Sequence, residues 1–138
     1  MPTASARHFL DSNIVLYLLS ADAAKANCAE QLVEQGSVIS VQVLNESTHI
    51  MRRKLGLSWE EIHEIVESIC AVCTVEALTV GTHDTGRRLA ARYGLSVYDA
   101  MIAAAALLAG CDILFSEDMH HGLLIDGRLR VVNPFAAA

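Results

Sequence analysis

Four acids carry the chemistry this chain offers. Asp11 closes the short run His8-Phe9-Leu10, and an apolar run, Ile14-Val15-Leu16, resumes behind it at helical spacing. Glu46 falls one helical turn past Val38-Ile39-Ser40-Val41. Asp99 opens the longest apolar run, Ala100 to Gly110, and Asp118 comes three residues after Asp112-Ile113-Leu114-Phe115. In a parallel α/β sheet, ligands bind outside the carboxyl ends of the strands. If the runs before Asp11, Glu46 and Asp118 are such strands, the four acids share one sheet edge. Each has a structural use by itself: Asp11 as a helix cap, Glu46 on a solvated helix face, Asp99 in a capping box with Ser96, Asp118 in a turn. Together they point to more. Packed carboxylates repel and raise one another's pKa unless a cation intervenes. Mg²⁺ or Mn²⁺, which take oxygen ligands and keep several waters, is the economical cation. Held there, it would activate water and offset charge on a phosphoryl oxygen, the chemistry of metal-dependent phosphodiester cleavage.

The elements that must position these acids follow in order. His8 to Asp11 reads as a strand and Asn13 to Leu19 as a helix. Asp22 caps a helix from Ala23 to Gln35 that stops at Gly36, Val38 to Val41 is a strand, and Ser40 caps a helix from Gln42 to Leu55. Ser58-Trp59-Glu60-Glu61 is a capping-box pattern, opening a helix with Trp59, Ile62, Ile65, Val66 and Ile69 on one stripe and its other acids solvated. Cys73 to Val75 is a short strand. Thr79 to Tyr93 is a helix stopped by Gly94, although Gly81 and Gly86 weaken the pattern. Tyr98 to Ala109 has almost no polar face and must be buried on most sides. Asp112 to Phe115 is a strand, Ser116 to Arg128 a polar loop, and Val131 to Pro134 a last edge strand. The class is α/β: a mostly parallel sheet of roughly four to five strands covered by helices.

The totals bound the answer. At 138 residues and 53% apolar composition, one domain with a full core is expected across residues 1–138, with 1–6 and 136–138 frayed. The net charge of −6 leaves no broadly basic face, so a phosphodiester substrate needs a metal or a local basic patch. Arg52-Arg53-Lys54, at the end of the Glu46 helix, is such a patch and also suits a helix C-terminus. Arg87, Arg88 and Arg92 read as structural. Cys70-x-x-Cys73 has metal or redox spacing but no second pair, so Cys28, Cys70, Cys73 and Cys111 are expected in the core as reduced thiols. No secretory signal is visible, and the longest apolar run falls short of the ~20 residues of a membrane span. A cytoplasmic protein is expected.

These motifs resemble a known family. Phe9-Leu10-Asp11-Ser12-Asn13-Ile14, the isolated Glu46 after Val41-Gln42-Val43-Leu44-Asn45, Tyr98-Asp99-Ala100-Met101-Ile102-Ala103 and Leu114-Phe115-Ser116-Glu117-Asp118-Met119 look like the four acidic motifs of PIN-domain ribonucleases, nearest the VapC-type toxins of bacterial toxin–antitoxin pairs. The resemblance runs from about Arg7 to Phe135, with the tail Gly127 to Phe135 in place. It implies a PIN-like three-layer α/β/α sandwich and an endoribonuclease. Asp11 and Asp99 would be the principal metal ligands, Asp118 would complete the acidic pocket, and Glu46 would bind the ion or orient the attacking water. Asn13 and Ser116 match small polar positions that hold carboxylates. The resemblance also implies a homodimer and a cognate antitoxin that blocks the pocket. Ser12 stands where Thr is frequent in the family. His120 and His121 follow the last acid where many members have an aromatic residue, and a loop role is expected for both; His49 is expected in packing or solvent.

Two other classes compete with this reading. A phospho-accepting receiver-type module needs paired acids after the first strand and a Lys after the last; here Ser12 and Asn13 follow Asp11, and no Lys occurs after Lys54. A PIN-like fold kept only for partner binding is opposed by the presence of all four acids.

Overall fold

A computed structural model describes residues 6–136. The expected frayed ends lie outside the described residues, except Ala6 and Ala136, which flank the outermost regular elements. The chain runs β1 (His8–Leu10), α1 (Ser12–Leu16) with a 3-10 turn (Tyr17–Leu19), α2 (Ala23–Glu34), β2 (Ser37–Ser40), α3 (Val41–Arg53), α4 (Trp59–Val72), β3 (Thr74–Glu76), α5 (Val80–Tyr93), α6 (Val97–Leu108), β4 (Ile113–Phe115), β5 (Leu124–Ile125) and β6 (Leu129–Val132).

All six strands form one sheet in the order β3-β2-β1-β4-β6-β5. β1 pairs in parallel with β2 (Phe9 opposite Val38) and with β4 (Phe9 opposite Leu114). Only β5 runs antiparallel, to β6. The chain builds outward from β1 to β3, then returns to the other side of β1 at β4. That reversal makes a topological switch point between β1 and β4, at whose carboxyl ends a crevice opens. With right-handed crossovers it also sends the earlier and later helices to opposite faces of the sheet.

Local chemistry explains the elements. Short apolar runs make the central strands, so Phe9, Leu10, Ile39, Leu114 and Val131 are completely buried. Ser58 and Glu61 close the expected capping box at α4. Thr79 and Thr82 close another at α5, which ends at Gly94 in the left-handed region (φ +68°). Ala100 to Leu107 are all buried, as the absence of a polar face required. Gly86 does not break α5. It lets α5 and α6 approach so closely that a Cβ there would meet Met101 Sδ at 2.7 Å.

The structure corrects three expectations. The sheet has six strands, because the segment read as a polar loop contains β5. Asp126 and Gly127 both take positive φ (53° and 67°), and Arg128 N donates to Ile125 O at 3.0 Å. This is a tight turn of the type that matches hairpin twist, and it returns the chain along β6. β6 is therefore flanked on both sides, and β5 is the edge. Trp59 is not on the buried stripe of α4; it is 59% exposed. Cys73 and Cys111 are buried as expected, but Cys28 is half-buried and Cys70 exposed; all four are free thiols.

Candidate active site at the carboxyl edge of the sheet

Asp11 is the centre of the site and the most buried of the four acids, at 2% exposure. It stands between the end of β1 and the start of α1, and its backbone N–H donates to Phe115 O (3.0 Å), tying it to the end of β4. Capping and site formation are the same event here. Oδ1 accepts from Ser12 N (2.7 Å), while Oδ2 accepts from Ser116 Oγ (2.7 Å) and Asn13 Nδ2 (3.3 Å). Ser116, completely buried, takes the backbone N–H groups of Asp118 and Met119 on its own oxygen (both 3.2 Å). The loop after β4 is thereby folded onto Asp11.

Two small side chains bridge Asp11 to its neighbours. Asn13 Nδ2 also donates to Asp118 Oδ2 (3.0 Å), and Asn13 Oδ1 accepts from Glu117 N (3.2 Å). Ser12 Oγ donates to Glu46 Oε1 (2.9 Å). From the other side, Gln42 Nε2 holds Glu46 Oε2 (3.0 Å), one turn back along α3. Asp99 sits in the first turn of α6, where Ser96 Oγ accepts its backbone N–H (3.2 Å). Burial grades outward: Asp11 buried, Glu46 and Asp99 half-buried, Asp118 exposed.

The electrostatics report convergence. Burial pushes the Asp11 carboxyl up to about 6; bonds from Ser116 and Ser12 work against this, and the charges of Asp99 and Glu46 add to it. Asp99 is also raised, by burial first; the Ser96 side chain opposes, and Glu46 and Asp118 add. Among the described residues none of the four acids has a salt-bridge partner. Glu117, beside them in sequence, is drawn away: Tyr17 Oη donates to it (2.7 Å) and Lys25 Nζ pairs with it (3.4 Å).

No three His, Cys, Asp or Glu side chains among the described residues form a ready-made metal cage. The donor set still fits a hard divalent ion. Its donors are all oxygens, they have no cationic partner, and they are spread over an open crevice of the kind that suits an ion keeping several waters.

A family model described as "PIN domain" matches residues 8–121. The chain belongs to the PIN domain family. With that, the receiver-type alternative falls. No curated protein sequence matches the chain at a significant level. Among solved structures similar to it are the following three. A toxin–antitoxin complex from Klebsiella pneumoniae has a chain 20% identical, with a TM-score of 0.71, over 94% of this chain and 99% of that one. VapC20 of Mycobacterium tuberculosis, a toxin that cleaves the sarcin–ricin loop, is 20% identical with a TM-score of 0.62, over 80% and 89%. VapBC2 from Rickettsia felis, bound to a DNA fragment from its promoter, gives 18% and 0.59, over 80% and 87%. At these identities the likeness is one of fold: the PIN α/β fold with its mostly parallel sheet.

The remaining expected residues fall as follows. Arg52, Arg53 and Lys54 are exposed at the end of α3, about 10 Å along the helix from Glu46. Arg52 stacks over the Trp59 ring (5.1 Å) and donates to Leu57 O (3.1 Å). Arg87, Arg88 and Arg92 are engaged with Asp84 and Asp126, as a structural role requires. His49, His120 and His121 are exposed, and His121 Nδ1 accepts from Asn133 N (2.9 Å), a loop contact. Sequence reasoning did not single out Gln42, Tyr17 or Lys25. Gln42 was legible as an i,i+4 partner of Glu46; Tyr17 and Lys25 meet Glu117 only through the fold. Among the described residues no helix is long and apolar enough to cross a membrane.

Proposed function

We propose that this protein is a metal-dependent endoribonuclease and the toxin of a toxin–antitoxin pair. One observation carries the reading: four carboxylates from four segments converge on the switch-point crevice, their charges add to burial in raising the Asp11 and Asp99 carboxyls, and they have no cationic side chain among them in the described residues. Leaving charge this unbalanced costs stability, which suits a site kept for a cation. Membership of the PIN family and the toxin neighbours support the same reading.

In this proposal Asp11 and Asp99 are the principal ligands of Mg²⁺ or Mn²⁺, with Asp118 completing the pocket. When bound, the ion supplies positive charge against the phosphoryl oxygens and makes water a stronger nucleophile at neutral pH. Asn13 and Ser116 fix the Asp11 carboxylate, and Asn13 keeps Asp118 turned toward it. Glu46, held between Ser12 and Gln42, orients the attacking water and accepts a proton as the phosphodiester opens. Arg52, Arg53 and Lys54 contact substrate phosphates and supply the local positive charge that an acidic protein needs. The protein works in the cytoplasm as a homodimer, and its cognate antitoxin occludes the acidic pocket.

The test is cleavage of total RNA by purified protein stripped of any antitoxin, with Mg²⁺ or Mn²⁺, with EDTA, and as Asp99→Asn. Cleavage that needs the metal and disappears in the variant is expected. Cleavage in EDTA, or none under any condition, would overturn the proposal.

A further inference from the structure

The crevice that begins at the acids continues along α3. Glu46 and Tyr98 line a basin of about 400 Å³, and Arg52, Arg53 and Trp59 line a second of about 680 Å³. The two adjoin at His49, which lines both. Of the seven Phe, Tyr and Trp side chains, all within the described residues, only Tyr98 (67% exposed) and Trp59 (59%) are exposed, and both face this groove. Tyr98 is the neighbour of Asp99. Trp59 lies at the far end with the Arg52 guanidinium on its ring. Neither exposure serves packing: Trp59 opens α4, whose capping box uses Ser58 and Glu61, and Tyr98 sits in the first turn of a helix buried on its other faces.

We propose that this groove is a subsite for single-stranded RNA, in which Tyr98 and Trp59 stack bases and Arg52 and Arg53 hold the intervening phosphates. The proposal rests on the nuclease reading of the acids. Aromatic faces need unstacked bases, which a duplex hides, and aromatic-lined basic grooves are how single strands are held without base-edge readout. Arg52 is suited to both tasks, since a guanidinium plane also stacks on bases. The seven residue steps from Glu46 to Arg53 span about 10 Å of helix, the length of about three stacked nucleotides. The substrate is thus a loop or unpaired end extending at least that far from the cut site on the α3 side. Stacking tolerates any base, so this subsite selects for unpaired structure and leaves sequence preference to other contacts.

Trp59 is the only tryptophan, so its fluorescence reports this site directly. The intact protein, in EDTA to prevent cleavage, is titrated with single-stranded oligo(A) and with duplex RNA of equal length. Saturable quenching by the single strand and little by the duplex is expected. Followed by anisotropy of a labelled oligo(A), Trp59→Ala and Tyr98→Ala should each weaken binding about ten-fold, and Trp59→Phe should keep most of it. Melting temperatures should hold, since both side chains are exposed. Equal responses to single strand and duplex, no response to either, or undiminished binding in both alanine variants would overturn the proposal. A metal-supported cleavage assay separates the two readings. Cleavage of unstructured RNA with KM unmoved by Trp59→Ala would remove the subsite and leave the nuclease. Quenching without cleavage in any metal would remove the nuclease and leave a single-strand groove.

Discussion

Two aspartates on this molecule receive opposite treatment. Asp126, in the β5–β6 turn, is matched: Arg88 grips both of its oxygens (3.1 and 2.7 Å), Arg92 approaches to 3.7 Å, and Tyr93 Oη adds a bond of 3.3 Å. Its carboxyl is held below the ordinary range, chiefly by the Arg88 bonds. Asp11 is surrounded by neutral donors and other acids, and is pushed up to about 6. One region spends arginines to settle a strained turn, where Asp126 sits at φ +53°. The other gathers negative charge and gives it only hydroxyls, an amide and backbone N–H groups. Neutral donors fix a carboxylate's direction without cancelling its charge. That is the difference between a charge used for architecture and a charge held ready for something else.

The largest effect is expected from Asp99→Asn, which should lower RNA cleavage by a hundred-fold or more while leaving Tm unchanged or raised, because it relieves like-charge repulsion; initial rates and a thermal melt on one preparation check both. The next effect is on stability against pH. A carboxyl at about 6 in the folded state and 3.8 ordinarily binds its proton more tightly when folded, so its contribution is favourable at acid pH and is lost as pH rises across that window. The loss amounts to about 3 kcal/mol at most. Urea unfolding of the metal-free protein from pH 4 to 7 should show this fall, and Asp11→Asn should remove it. Asp126 has the opposite sign: its contribution is present above the ordinary carboxyl range and lost as pH falls below it. A smaller effect is expected from Asn13→Ala, which cuts the bridge between Asp11 and Asp118: cleavage should drop about ten-fold and Tm should fall by several degrees, since Asn13 makes three hydrogen bonds and a typical one is worth about 1 kcal/mol. The smallest belongs to Asp126→Asn, which should leave cleavage untouched and lower Tm by a few degrees.

Most of this was legible because local patterns and fold agree. The strand-then-acid pattern at Asp11, the cap at Ser58 and the polar-free run after Asp99 each state what their segment must do. What escaped has identifiable causes. The hairpin signal Asp126-Gly127 was present, but the strand beside it is only two residues long, too short to show alternation. Trp59 fell on an apolar stripe by spacing, yet burial along α4 begins only one turn later, at Ile62 (3% exposed), so periodicity placed it in a core that starts further along the helix. The support around Glu46 divides the same way: Gln42 is a helical neighbour, whereas Ser12 reaches Glu46 across 34 residues, a contact only tertiary structure creates.

Calorimetric titration with Mn²⁺ at neutral pH tests most directly whether the unpaired acids are held for a divalent ion. The wild-type protein and Asp126→Asn should bind with the same affinity, and Asp99→Asn should bind far more weakly or not at all. No binding by the wild type, or binding that survives Asp99→Asn and is lost in Asp126→Asn, would contradict that role.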